Sequence, residues 1–134
     1  MKVKTYRDPL VLAIDVTQQR VKALILWEME KKKQELSSLV HNIPSLDSQI
    51  IFEELNELIE LGLVSRVVHV KRKPQQIIEY ALTNRGAQLL KCLRKMMNVG
   101  IEIMMDYGMN EYLMEEGYIE RVDLVEDELV PCSV

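Results

Sequence analysis

Apolar side chains recur at helical spacing over the first third of the chain. Leu12, Ala13, Val16, Leu24, Ile25 and Leu26 predict one or two helices between Leu10 and Trp27, with a break near Thr17 to Arg20. The polar run "EMEKKKQE" reads as a connector. Leu36, Leu39, Val40 and Ile43 then mark a short amphipathic helix, and Pro44 ends it because a residue before proline is pushed out of the helical region. Asp47 is the natural N-cap of the next helix, in which Ile51, Leu55, Leu58 and Ile59 share one face and Gly62 supplies a left-handed stop.

After Gly62 the period changes from helical to alternating. "LVSRVVHV" and "IIEYALT" are rich in β-branched residues and flank the polar turn "KRKPQQ", which predicts a hairpin with a basic tip. Thr83 can cap a long final helix running through Tyr107 and Gly108 towards Glu116. Its apolar positions, among them Leu89, Leu90, Leu93, Met96, Met97, Ile101, Met104 and Met105, cover more than one stripe. A helix apolar on several sides must be covered on several sides, and a second copy of the chain is the simplest cover. The fold class expected is mainly α with a β-hairpin wing (α+β): a winged helix-turn-helix over residues 1–116, dimerising through its long C-terminal helix, with an acidic tail over 117–134.

Composition narrows the classes. A chain of 134 residues, 48% hydrophobic and 28% charged, suits one folded domain rather than a disordered segment. No apolar run approaches the roughly 20 residues of a membrane span, and "MKVKTYRDPL" lacks the apolar stretch of a secretion signal. Cys92 and Cys132 have no C-x-x-C spacing, and His41 and His69 stand apart. These features imply no metal, no cofactor and no disulfide framework, and a cytoplasmic location. Without a phosphate loop or a nucleophile motif, and with Asp15 and Glu79 scattered, no enzyme is expected.

Charge changes the picture further. The net charge of −4 divides into −2 over residues 1–62, +7 over 63–101 and −9 over 102–134. A basic block inside an acidic protein is the footprint of a polyanion-binding surface or of a solvated helix and hairpin.

In this register the chain resembles the HxlR-type transcriptional regulators, dimeric winged helices related in fold to MarR proteins. "DPLVLAIDVTQQRVKALIL" is similar to the family's Cys-Pro, Ala-x-Asp, Gly-Gly-Lys-Trp opening, with Pro9, Ala13, Asp15, Ile25 and Leu26 in place. "LSSLVHNIPSL" resembles its Phe-x-x-Leu…Ile-Pro-Gly-Ile. "LNELIELGLVSR" and "EYALTNRG" resemble Leu-x-Glu-Leu-x-x-x-Gly-Leu-Val-x-Arg and Glu-Tyr-x-Leu-Thr-x-x-Gly. The likeness covers Asp8 to Leu93. Asp8 stands where the family usually has a cysteine that senses oxidants in some members, so redox sensing there is not implied. Gln19 and Val21 replace glycine and tryptophan. Phe52, Glu53 and Glu54 replace a polar or basic trio.

The resemblance implies a duplex-DNA-binding regulator acting as a homodimer. Ser48 and Gln49 on the first turn of the recognition helix can reach phosphates and base edges, and Glu53 can accept from cytosine N4. Arg66 at the wing base, Lys71, Arg72 and Lys73 at its tip, and Lys31, Lys32 and Lys33 before the second helix of the motif are the candidate phosphate contacts. Glu53, Glu57 and Glu60 are expected to point away from the core, leaving Glu53 and Glu54 as the anomaly in a helix that should approach a polyanion. The rival reading is a protein-interaction module whose acidic recognition helix binds a basic partner. A small-molecule effector or oxidant would sit near Cys92 and the Met-rich helix, although Cys92 itself reads as a small core residue; nothing identifies such a ligand.

Overall fold

The computed structural model describes residues 1–43, 46–72 and 75–120, with the backbone alone for 70–72, 75 and 76. Two compact units divide it, Met1–Arg94 and the residues from Lys95 onward.

The first unit opens with a short 3-10 turn, Val3–Thr5, and helix α1, Pro9–Gln18. Asp8 starts α1, accepting from the amides of Leu10 (2.8 Å) and Val11 (3.3 Å), and Pro9 sits where its missing N–H costs nothing. Extended backbone at Gln19 separates α1 from α2, Arg20–Met29, at the expected break. Helices α3 (Leu36–Asn42) and α4 (Ser48–Glu60) follow, the second capped by Asp47 through the Gln49 amide at 3.0 Å. Strands β1 (Val64–Arg72) and β2 (Gln75–Leu82) pair antiparallel, with a bulge between Val70 and Arg72. The order is that of a winged helix-turn-helix.

Ile51, Leu55 and Leu58 of α4 are wholly buried against Ile25, Leu26, Leu39, Val64 and Tyr80. Each such side chain contributes on the order of 1.5–3 kcal/mol by leaving water. Gly62 ends α4 with φ +73°, while the amides of Gly62 and Leu63 return to the carbonyls of Ile59 and Leu58. This is the left-handed stop read from the sequence.

Hydrogen bonds fasten the base of the wing to its neighbours. Gln34 and Tyr80 exchange backbone hydrogen bonds of 2.9 and 2.8 Å, so the connector after α2 adds a one-residue rung to β2. Thr83 Oγ1 donates to the Gly62 carbonyl at 2.6 Å and accepts from the Gly86 amide at 3.0 Å. Thr83 thereby starts helix α5 (Asn84–Asp106) and fastens it to the turn after α4. Gly86 lies so close to this turn that a Cβ there would stand 2.0 Å from the Leu63 carbonyl oxygen.

The second unit corrects one expectation. The final helix does not continue to Glu116; α5 stops at Asp106, and a separate helix α6 spans Asn110–Glu115. Gly108, at φ +77°, terminates α5, and the amides of Gly108 and Met109 bond back to Met105 and Met104. Leu113 of α6 is buried, whereas Met96, Val99, Ile103 and Tyr107 form an exposed stripe at helical spacing on and just beyond α5.

Candidate nucleic-acid interface

The outward surface of α4 follows from its register. With Ile51, Leu55 and Leu58 facing the core, Gln49, Glu53, Asn56 and Glu60 fall on the opposite side and are exposed. Ser48 is exposed at the helix start. Gln49 Nε2 donates to Glu53 Oε1 at 3.1 Å, one turn along. Ile50 and Phe52 are also exposed, at 42% and 40%.

Of the acids that the wheel sends outward, Glu57 is not free of the core side. Glu54 and Glu57 face α2, where both accept from Lys22 Nζ, the Glu57 contact measuring 2.5 Å. Lys22 is fully buried and also donates to Gln19 Oε1. Burial opposes its charge, but the hydrogen bonds it donates to Glu54 and Glu57 prevail and raise its pKa above the ordinary value. The hydrogen bond from Lys22 lowers the Glu57 pKa in turn. Glu57 therefore does not point freely away from the core, and Glu54 is no anomaly. The two carboxylates share one ammonium, which offsets one of their two charges and holds both against α2. Among the described residues, the α4 acids outside this cluster are Glu53 and Glu60, and Glu60 lies at the far end.

Lys22 is the residue that sequence reasoning missed. The signal was present: Lys22, Ile25, Leu26 and Met29 share the buried stripe of α2, so the lysine occupies a core position. A lysine there needs an acidic partner, and Glu54 and Glu57 are three residues apart on the helix that packs against it.

The basic candidates distribute as follows. Lys31, Lys32 and Lys33 are exposed in the connector between α2 and the Gln34 rung. Arg66 is exposed on β1. Lys71 and Arg72 lie on the β1 backbone beside the bulge, their side chains not described, and Lys73 and Pro74 lie outside the described residues. Glu79, the one acid of the basic block, has Oε1 2.9 Å from His69 Nε2 across the wing. Asp15 is likewise paired, accepting from the Tyr6 hydroxyl at 2.5 Å; that hydrogen bond raises the Tyr6 pKa.

Of the expected interface residues, Leu93 packs on the first unit's core. In the second unit Met96 is exposed, and Met97, Ile101, Met104 and Met105 are half-buried. Cys92 is exposed rather than a core residue, and it lines an apolar groove of about 680 Å³ with Leu12, Val16 and Leu89. Among the described residues no three His, Cys, Asp or Glu side chains are grouped to hold a metal ion, and no helix is long and apolar enough to cross a membrane.

Comparison with known proteins agrees with this architecture. Residues 16–107 match the HxlR-like helix-turn-helix family. A Bacillus subtilis protein described as the uncharacterized HTH-type transcriptional regulator YvaP is 33% identical over 81 residues, covering 60% of this chain and 73% of its own. A MarR-family transcriptional regulator from Enterococcus faecalis V583 superposes with a TM-score of 0.68 at 19% identity, over 81% of this chain and 93% of that one. The reduced form of the B. subtilis transcriptional regulator YodB gives a TM-score of 0.62 at 22% identity, over 69% and 90%.

Proposed function

The chain belongs to the HxlR-like helix-turn-helix family of transcriptional regulators, and we propose that it binds duplex DNA as a homodimer, with α4 in the major groove and the wing along the backbone. The observation that carries this reading is the division of α4. One face is anchored by Ile51, Leu55, Leu58 and the Lys22 cluster, while Ser48, Gln49, Glu53 and Asn56 are left to solvent. A rigidly held helix with a free polar face is what groove reading requires.

Affinity is assigned to the lysines and arginines around α4 rather than to α4 itself. Lys31, Lys32, Lys33, Arg66, Lys71, Arg72 and Lys73 would neutralise phosphates and give binding a steep salt dependence. The dimer is supported by exposed apolar side chains in both units: Leu10, Val11 and Ile14 on α1, and Met96, Val99 and Ile103 on α5. Residues 1–116 are assigned to the DNA-binding and dimerisation domain and 117–134 to an acidic tail, of which 121–134 lie outside the described residues.

Titration against duplex DNA containing the gene's own upstream region, at about 50 mM salt and upward, tests the reading. Binding by the wild type and its abolition by Lys71, Arg72 and Lys73 to Glu are expected. Absence of any duplex binding at the lowest salt would overturn the reading, and more so if the chain captured a basic protein through α4.

A further inference from the structure

We propose that α4 selects its site by exocyclic amino groups and thymine methyls, not by guanine. The proposal rests on the DNA-binding reading and concerns which base edges the helix recognises.

Three observations converge. First, α4 has no Lys or Arg from Ser48 to Glu60, so the helix lacks the side chains that bond guanine O6 and N7 in pairs. Second, the Gln49–Glu53 hydrogen bond fixes what the outward stripe offers. An ionised carboxylate only accepts, so the Gln49 amide must turn its NH₂ towards Glu53 and its Oε1 away. Gln49 Oε1 and the second Glu53 oxygen remain as two acceptors on one exposed face, with the second Gln49 N–H as a single donor that cannot bond guanine O6 and N7 as a pair. In the major groove their complements are the N4 amino group of cytosine and the N6 amino group of adenine, while guanine presents O6 and N7 acceptors that a carboxylate repels.

Third, Ile50 and Phe52 flank this acceptor pair. Each is one residue, and so about 100° of helical turn, from the buried Ile51, on opposite sides of the stripe. Both are large, apolar and about two-fifths exposed in the first half of the helix, so each leaves an apolar edge in solvent. The apolar feature of the major groove is the thymine 5-methyl, which suits them. Lys22 makes the arrangement workable, because it holds Glu54 and Glu57 against α2 and leaves Glu53 as the acid facing outward in the first two turns.

The test begins with selection of duplexes from a random pool by the full-length protein. The selected half-site is then scanned one base at a time with analogues. Deoxyuridine removes a thymine methyl, purine deoxyriboside removes the adenine amino group, N4-methylcytosine replaces the major-groove N–H of cytosine while keeping the pairing one, and 7-deazaguanine removes N7. At the α4 positions, amino-group loss is expected to weaken binding about tenfold and methyl loss about threefold, with 7-deazaguanine within twofold of the parent. Glu53→Gln should reduce the amino-group sensitivity and keep the methyl effect, and Phe52→Ala should reduce the methyl effect and keep the amino-group sensitivity. Both positions are exposed, so circular dichroism should match the wild type. A tenfold loss with 7-deazaguanine, or indifference to amino and methyl removal on a tightly bound duplex, would overturn the proposal while leaving DNA binding intact. Failure to enrich any duplex would remove the DNA-binding reading and this proposal with it.

Discussion

Lys22 Nζ donates to Glu57 Oε2 at 2.5 Å, joining the buried side of α2 to the flank of α4. With Glu54 as second acceptor, one fully buried cation is matched by two partly exposed anions. The two sides of the pair are therefore not equivalent. Replacing Glu54 and Glu57 by Gln strands a buried ammonium, which should cost about 3 kcal/mol. Adding Lys22→Met removes the stranded charge and should restore most of that loss. Urea denaturation of the double and triple variants reads the difference.

The same cluster sets a pH signature. The Glu57 pKa is lowered by Lys22 from its ordinary 4.5, so its contribution is full above about that pH and is lost as pH falls through the folded value. The Lys22 pKa is raised from 10.5, so its contribution is full below that pH and is lost only as pH rises through the folded value. The Tm difference between wild type and Glu57→Gln should thus shrink below about pH 4.5. Thermal melts across the acid range measure it.

Glu53 and Glu54 should behave differently towards DNA despite being adjacent. Glu53→Gln removes an outward charge and should tighten binding to random duplex roughly two- to fivefold at low salt, less at high salt. Glu54→Gln should change affinity less once its lower stability is allowed for, because Lys22 holds that carboxylate against α2 rather than on the outward face. Fluorescence anisotropy at two salt concentrations separates them.

Gly86→Ala should be severe. The added methyl would stand 2.0 Å from the Leu63 carbonyl oxygen, a backbone atom that can yield only by moving the turn or α5. A loss of roughly 3 kcal/mol or more is expected, against about 1 kcal/mol or less gained at an open helical glycine such as Gly100. Chemical denaturation of both variants provides the comparison.

The fold was legible because its local signals agree. The breaks at Gln19 and Gly62, the caps at Asp47 and Thr83, and the alternation of the hairpin all appear where composition placed them. The family-like run Glu79, Tyr80, Leu82, Thr83 and Gly86 acquires physical roles as well: Tyr80 pairs with Gln34, Thr83 holds Gly62, and Gly86 admits Leu63. What escaped was pairing between helices. A wheel drawn on α4 alone sends Glu57 outward, since nothing within that helix announces a lysine 35 positions away. The end of α5 escaped too, because the apolar stripe continues past a glycine whose left-handed backbone alone stops the helix.

The rung between Gln34 and Tyr80 has a consequence in time rather than in space. Both amides are sealed by the same pair of bonds, and neither can meet solvent unless the lysine connector parts from the wing. In hydrogen-exchange terms they form one opening unit, so the two amides should exchange with a common free energy. A duplex that gripped Lys31 to Lys33 on one side and Arg66 on the other would slow both together, and the shared slowing would count how often the corner and the wing let go.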